Sequence, residues 1–273
     1  MYNITESKYY MIHAHLEGVA RTLVMTLRAR AEEHVRKDRI FADEWSHEWY
    51  QWMPTYPDYD AWYTPTFQLA SNIRTAIFDD IANTFIEKHE DAVIVEIGGG
   101  LSSRPYRVGI DRAQWVILDL PLAMSVRYKV DAANDNLIFL SQSVTNDDWI
   151  ARLPETKSKN YLFIAEGVLM FIEQAEVLEL VTRLSTHFAS GTFAFDTLRE
   201  SYRDREEENF AKMDADIKFH MDENDIKELG FKKVTTDYLL TAQPERWEQL
   251  GIEKSILTKN NSGFVVTATL AKV

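Results

Sequence analysis

Residues 92–100 read AVIVEIGGG: a short aliphatic run, an acidic side chain at Glu96, and three glycines, Gly98 to Gly100. A run of this length, rich in β-branched residues and ended by glycine, is the pattern of a strand buried on both faces. The glycines let the backbone turn sharply and bring a ligand against the strand end and the helix that follows. Downstream the rhythm repeats at 114–118 (QWVIL), 137–141 (LIFLS), 161–165 (YLFIA) and 192–196 (TFAFD), with helical stretches between. That alternation predicts a parallel sheet with crossover helices. The late segments 232–240 (KKVTTDYLL) and 263–270 (GFVVTATL) are expected to form a hairpin-type pair completing the sheet.

Upstream the period is helical. Leu16, Val19, Ala20, Leu23, Val24 and Leu27 recur at three- and four-residue steps, and the first 50 residues are expected to be helical. From Phe41 to Phe67 aromatic residues crowd together, broken by Pro54, Pro57 and Pro65, which reads as a helix end, a loop and a new start. These rings are expected chiefly to cap the sheet, with some of Tyr56, Tyr59, Trp62 and Tyr63 reaching a pocket. A second amphipathic helix carries Leu69, Ala70, Ile73, Ile77, Ile81 and Phe85, ending near Lys88 and His89.

Composition narrows the function. With 273 residues, 43 Asp and Glu against 30 Lys and Arg, the formal charge is −13. A groove that follows phosphates needs clustered basic residues, so nucleic acid is excluded as an expected partner. The chain has no cysteine, which removes disulfides, thiolate zinc sites and iron–sulfur ligation. No His-rich spacing indicates a metal, and no apolar run reaches the roughly 18 residues of a membrane span. The polar, aromatic Met1–Tyr10 segment lacks a signal-peptide core, so a cytoplasmic location is expected.

The glycine loop points to a nucleotide-type cofactor. A dinucleotide fingerprint wants a third glycine where Ser103 stands, which disfavours a nicotinamide cofactor, and no phosphate-binding P-loop motif occurs. Asp119 closes the second strand, placed to accept hydrogen bonds from both ribose hydroxyls, and Glu166 closes the fourth. Glu96, Asp119 and Glu166 thus gather at the carboxyl ends of parallel strands, where such sheets bind ligands. Arg30 and Arg74 fall on apolar helix stripes, where a charge needs a partner: a bound carboxylate or an internal salt bridge.

The chain resembles the class I S-adenosylmethionine-dependent methyltransferases, specifically the leucine carboxyl methyltransferase family in its bacterial polyketide O-methyltransferase-like branch. The resemblance covers Leu16 to the C-terminus. It is carried in order by LEGVARTLVMTLRARAEEHVRKDRIFADEWS (16–46), IRTAIFDDIANTFI (73–86), VIVEIGGGLSSRPYRV (93–108), WVILDLPLAMSVR (115–127), SQSVTNDDW (141–149), FIAEGVLMFIEQAEV (163–177) and IKFHMDENDIKELGF (217–231). It implies an α/β fold with a Rossmann-like seven-stranded sheet, as a single domain with a helical cap over 1–88 and the core over 89–273. It implies S-adenosylmethionine as cofactor, S-adenosylhomocysteine as product, and methyl transfer to a hydroxyl or carboxylate oxygen of a polyketide-like small molecule.

By the same resemblance Arg74 grips the methionine carboxylate with Arg30 nearby, Gly98 and Gly100 form the cofactor loop, and Asp119 holds the ribose. Glu166 lies beside the methionine moiety, and Ser143 and Val144 border the adenine. Asn146 and Phe171 depart from the family's usual aspartate and tyrosine. A hydroxyl acceptor needs a base, for which His13, His15, His34 and His220 are candidates with Tyr9, Tyr10 and Tyr202 as hydrogen-bonding partners; a carboxylate needs none. Tyr202 and Phe219 are placed on the acceptor side. The competing readings are a protein C-terminal carboxyl methyltransferase and a cofactor-binding protein without turnover. The oligomeric state is left open.

Overall fold

The computed structural model describes residues 16, 18–54, 60, 63–157, 160–211 and 215–272. Its strands are β1 (Val93–Ile97), β2 (Gln114–Asp119), β3 (Leu137–Ser141), β4 (Tyr161–Ala165), β5 (Thr192–Thr197), β6 (Lys233–Tyr238) and β7 (Phe264–Thr269). They form one sheet in the order β3-β2-β1-β4-β5-β7-β6. The first five are parallel, and β7 runs antiparallel between β5 and β6. The late pair expected from the sequence therefore forms, with its second member inserted next to β5. Strand order reverses between β1 and β4, which opens a crevice at their carboxyl ends.

The helices are α1 (Thr22–His34), α2 (Glu44–Tyr50), α3 (Pro65–Lys88), α4 (Arg104–Val108), α5 (Pro121–Val130), α6 (Gln174–His187), α7 (Arg203–Ala211), α8 (Glu223–Glu228) and α9 (Pro244–Gln249). Thr64 starts α3 by accepting from the Phe67 N–H at 3.1 Å, and Pro65 suits the first turn because its missing N–H would have had no partner. Between β3 and β4 a single turn, Ile150–Arg152, stands in for a crossover helix, with Trp149 buried beside it.

One sheet face packs with Val177, Leu180, Val181 and Leu184 of α6, the other with Phe78, Ala82, Phe85 and Ile86 of α3. The helix that ends the expected 1–88 segment thus lies directly on the sheet. The cap proper is α1 and α2, which bury Val24, Met25, Leu27 and Trp49 together with Leu101 of the glycine loop.

The first 50 residues are not one helical stretch. The α1 helix stops at His34 because Glu33 Oε1 accepts the Ile40 N–H at 2.6 Å and pulls the chain back, and Asp43 then caps α2 through the Ser46 N–H at 2.9 Å. Among the described residues no helix is long and apolar enough to cross a membrane.

Candidate active site

A cavity of about 490 Å³ opens at the carboxyl ends of β1, β2 and β4, beneath α1. Its size falls within the range of small-molecule sites. Arg30, Arg74, Glu96, Gly98, Asp119, Ser143, Val144 and Glu166 all lie on its wall. Residues from six separate stretches of sequence are thus brought together. Leu23 and Thr26 of α1 close the roof, and Val168, Phe171 and Ile172 line the side toward α6.

The glycine loop shapes one wall. Gly100 lies just behind the lining, at φ +42°, where a Cβ would collide with the Leu23 side chain. Its N–H donates to Asp119 Oδ2 at 2.7 Å, and the Leu120 N–H donates to Oδ1 at 2.6 Å. Asp119 is therefore held by the backbone from two sides on the cavity wall. Burial pushes its carboxyl up to about 6, against the opposing pull of those two N–H groups and Arg127. None of Glu96, Asp119 and Glu166 is the N-cap residue of a helix.

Beneath the cavity four arginines and five carboxylates interlock. Arg104 reaches Asp79 at 2.8 Å, Glu96 at 2.8 Å, and Glu166. Arg74 reaches Glu166 at 3.2 Å and Asp196 at 3.0 Å, while Arg107 holds Asp43 and Asp79, each at 2.7 Å. Arg30 donates to Ser46 Oγ at 3.0 Å and to the Leu101 carbonyl at 2.8 Å, with Asp43 at 3.6 Å; burial pulls its guanidinium down to about 10. The two arginines on apolar stripes thus have internal partners while also lining the cavity. Burial alone raises the Glu166 carboxyl, but Arg104, Arg74 and Arg30 outweigh it and hold the group down at about 2.

Ser103, at the third glycine position, is fully buried. Its hydroxyl donates to Asp43 at 2.6 Å and lies 2.8 Å from Ser46 Oγ, tying the loop to the start of α2. Glu96 Oε1 and Gln142 Nε2 are buried polar atoms of the cavity wall with no hydrogen-bond partner among the described residues. A buried carboxylate oxygen left unpaired is costly unless a ligand donates to it. The cavity thus offers carboxylates at Asp119 and Glu96 and a guanidinium at Arg74 to a ligand that carries hydroxyl and charged groups.

The other candidates lie elsewhere. The Tyr202 hydroxyl donates to the Asn261 carbonyl, away from the cavity. His220 is buried off the cavity wall with both ring nitrogens unpartnered among the described residues, and burial lowers its pKa, with Arg203 adding to the effect. Phe219 packs in the core beneath the sheet, and His34 Nδ1 accepts the Asp43 N–H at 3.1 Å. Tyr63 donates to Glu32 at 2.7 Å and is not on the cavity wall. His13, His15, Tyr9, Tyr10, Tyr56, Tyr59 and Trp62 lie outside the described residues. Sequence reasoning passed over Arg104, Gln142 and Asp196, although Asp196 is the next-to-last residue of β5 and the strand-end rule that singled out Glu166 after β4 reaches it.

The family model for leucine carboxyl methyltransferase matches residues 21–185, more than half of the chain. The chain is 28% identical over 189 residues to the tetracenomycin polyketide synthesis O-methyltransferase TcmP of Streptomyces glaucescens, covering 67% of each. Human N-acetylserotonin methyltransferase, solved with S-adenosylmethionine, is similar over 90% of this chain and 67% of its own, with 11% identity and a TM-score of 0.47. A 1,6-didemethyltoxoflavin-N1-methyltransferase of Burkholderia thailandensis, solved with S-adenosylhomocysteine, is similar over 71% of this chain and 78% of its own, with 12% identity and a TM-score of 0.44. The chain belongs to the leucine carboxyl methyltransferase family and is a methyltransferase that uses S-adenosylmethionine.

Proposed function

We propose that the chain is a cytoplasmic O-methyltransferase acting on a polyketide-like small molecule, with its cofactor in the cavity between the glycine loop and Asp119. The observation that carries the site assignment is the carboxylate of Asp119, fixed by the Gly100 and Leu120 N–H groups, in one cavity with the unpaired Glu96 Oε1. The cofactor supplies a methyl group already activated on a sulfonium. The remaining work of the protein is to bind, to orient and to keep water away.

Asp119 accepts from the ribose, and Glu96 receives the ammonium of the amino-acid tail. Arg74 takes the tail carboxylate. Ser143 and Val144 border the base, on the β3 side of Asp119. Val168, Phe171 and Ile172 leave an apolar wall toward α6 and Leu23 an apolar roof, surfaces suited to an acceptor with apolar area, and the name of the Streptomyces relative supports a polyketide as its class. An acceptor carboxylate arrives ionised and needs only alignment, whereas a hydroxyl needs a proton acceptor at the cavity mouth.

The test is thermal melting with S-adenosylhomocysteine and, separately, NADH. A ligand at about 100 times its Kd adds roughly 2.7 kcal/mol, or several degrees for a chain of this size. A shift with S-adenosylhomocysteine alone is expected. A shift with NADH alone overturns the reading.

A further inference from the structure

We propose that Asp196, together with Gly167, is a positioning residue that aims Arg74 at the amino-acid end of the cofactor. The inference rests on the cavity being the cofactor site. Arg74 has three guanidinium nitrogens and spends two of them inside the protein. Nε donates to Glu166 Oε1 at 3.2 Å and Nη1 to Asp196 Oδ2 at 3.0 Å. Nη2 has no hydrogen-bond partner among the described residues, and Arg74 lines the cavity.

The second oxygen of Asp196 fixes the clamp. Oδ1 accepts the Gly167 N–H at 2.6 Å, so one carboxylate joins the end of β5 to the turn after β4 and to Arg74 at once. Gly167 sits at φ +68°, and a Cβ built there would lie 3.2 Å from Nη2 and 3.4 Å from Nη1 of Arg74. The guanidinium therefore rests against bare backbone. It is held on two edges by carboxylates and along one side by Gly167, which leaves Nη2 as the nitrogen with no hydrogen-bond partner among the described residues.

Charge neutralisation alone does not explain this arrangement, because Glu166 already faces Arg74. Glu166 is also shared with Arg104 and with the Thr75 hydroxyl, at 2.9 Å from the latter, whereas Asp196 has Arg74 as its only salt-bridge partner among the described residues. Burying Asp196 is costly: its carboxyl stays above the usual range despite Arg74. What the second carboxylate adds is direction, since two fixed acceptors on different nitrogens define the guanidinium plane and leave one donor edge presented.

The experiment measures affinity by calorimetry for two probes, S-adenosylhomocysteine and 5′-methylthioadenosine. Both contain the nucleoside and the sulfur, but the second lacks the amino-acid tail. Asp196→Asn is expected to weaken S-adenosylhomocysteine on the order of tenfold, as loss of a charge-assisted contact would, and to leave 5′-methylthioadenosine within about twofold. In an Arg74→Ala background Asp196→Asn is expected to add less than about twofold.

Gly167→Ala, which crowds the guanidinium while keeping the carboxylate, is expected to show the same split and decides the matter if Asp196→Asn fails to fold. Equal losses for both probes, unchanged S-adenosylhomocysteine affinity, or an undiminished effect in the Arg74→Ala background overturns the proposal alone. A wild type that binds the nucleoside probe but gains nothing from the tail does the same. A wild type that binds neither probe overturns the cofactor reading and the proposal with it.

Discussion

Asp119 and Glu166 are both carboxylates at the cavity, and their surroundings drive them in opposite directions. Asp119 is raised to about 6 by burial, and hydrogen bonds from ribose hydroxyls favour its ionised form. Affinity for S-adenosylhomocysteine is therefore expected to fall as pH drops through 6, and binding near that pH is expected to release a proton. Calorimetry in buffers of different ionisation enthalpy reads the release, and Asp119→Asn should abolish it. Glu166 is held at about 2, below its ordinary 4.5, so the unfolded chain takes up its proton first as pH falls. Its contribution to stability is complete above about 4.5 and is lost as pH falls through about 2. Glu166→Gln leaves Arg74 and Arg104 undercompensated and is expected to cost about 3–5 kcal/mol at neutral pH in denaturant unfolding, a deficit that narrows in acid.

At the scale of elements, the loop after β1 and the start of α2 work as one unit through Ser103, Asp43 and Arg107. Ser103→Ala deletes the hydroxyl that satisfies Asp43 and Ser46, and is expected to destabilise by about 1–3 kcal/mol in denaturant unfolding. The five parallel strands were legible in the sequence because such strands read as short apolar runs, and 92–97 contains all of β1; the antiparallel β6 and β7 were legible through their β-branched residues, β6 being a largely exposed edge strand. The break between α1 and α2 was not, because it depends on Glu33 reaching forward to Ile40, which helical periodicity does not record. Arg30 and Arg74 were legible as charges needing partners, but the partners were not. Arg74 meets Glu166 and Asp196 from 92 and 122 residues away, distances that only the folded sheet closes. Ser103 was legible only as a missing glycine, since its hydroxyl acts through residues some 60 positions upstream.

Across the whole molecule, the cap is fastened to the far end of the chain. Glu33 on α1 is fully buried and meets Arg246 on α9 through two hydrogen bonds of 2.6 and 3.0 Å, across 213 residues, with Asn72 of α3 alongside. Removing either partner strands a buried charge, so Glu33→Gln or Arg246→Gln is expected to cost about 3–5 kcal/mol in denaturant unfolding. Replacing both with apolar residues of similar volume should cost less than either single change. Because Leu23, Thr26 and Arg30 of the same helix line the cavity, this fastening also holds the roof over the site. The most direct measurement is a calorimetric titration of S-adenosylhomocysteine into the wild type and Asp119→Ala at neutral pH. One site per chain is predicted, with affinity in the variant weaker by about 1.5–3 kcal/mol, roughly 10- to 150-fold. No binding by the wild type, or equal affinity in the two proteins, would contradict the placement of the cofactor between the glycine loop and Asp119.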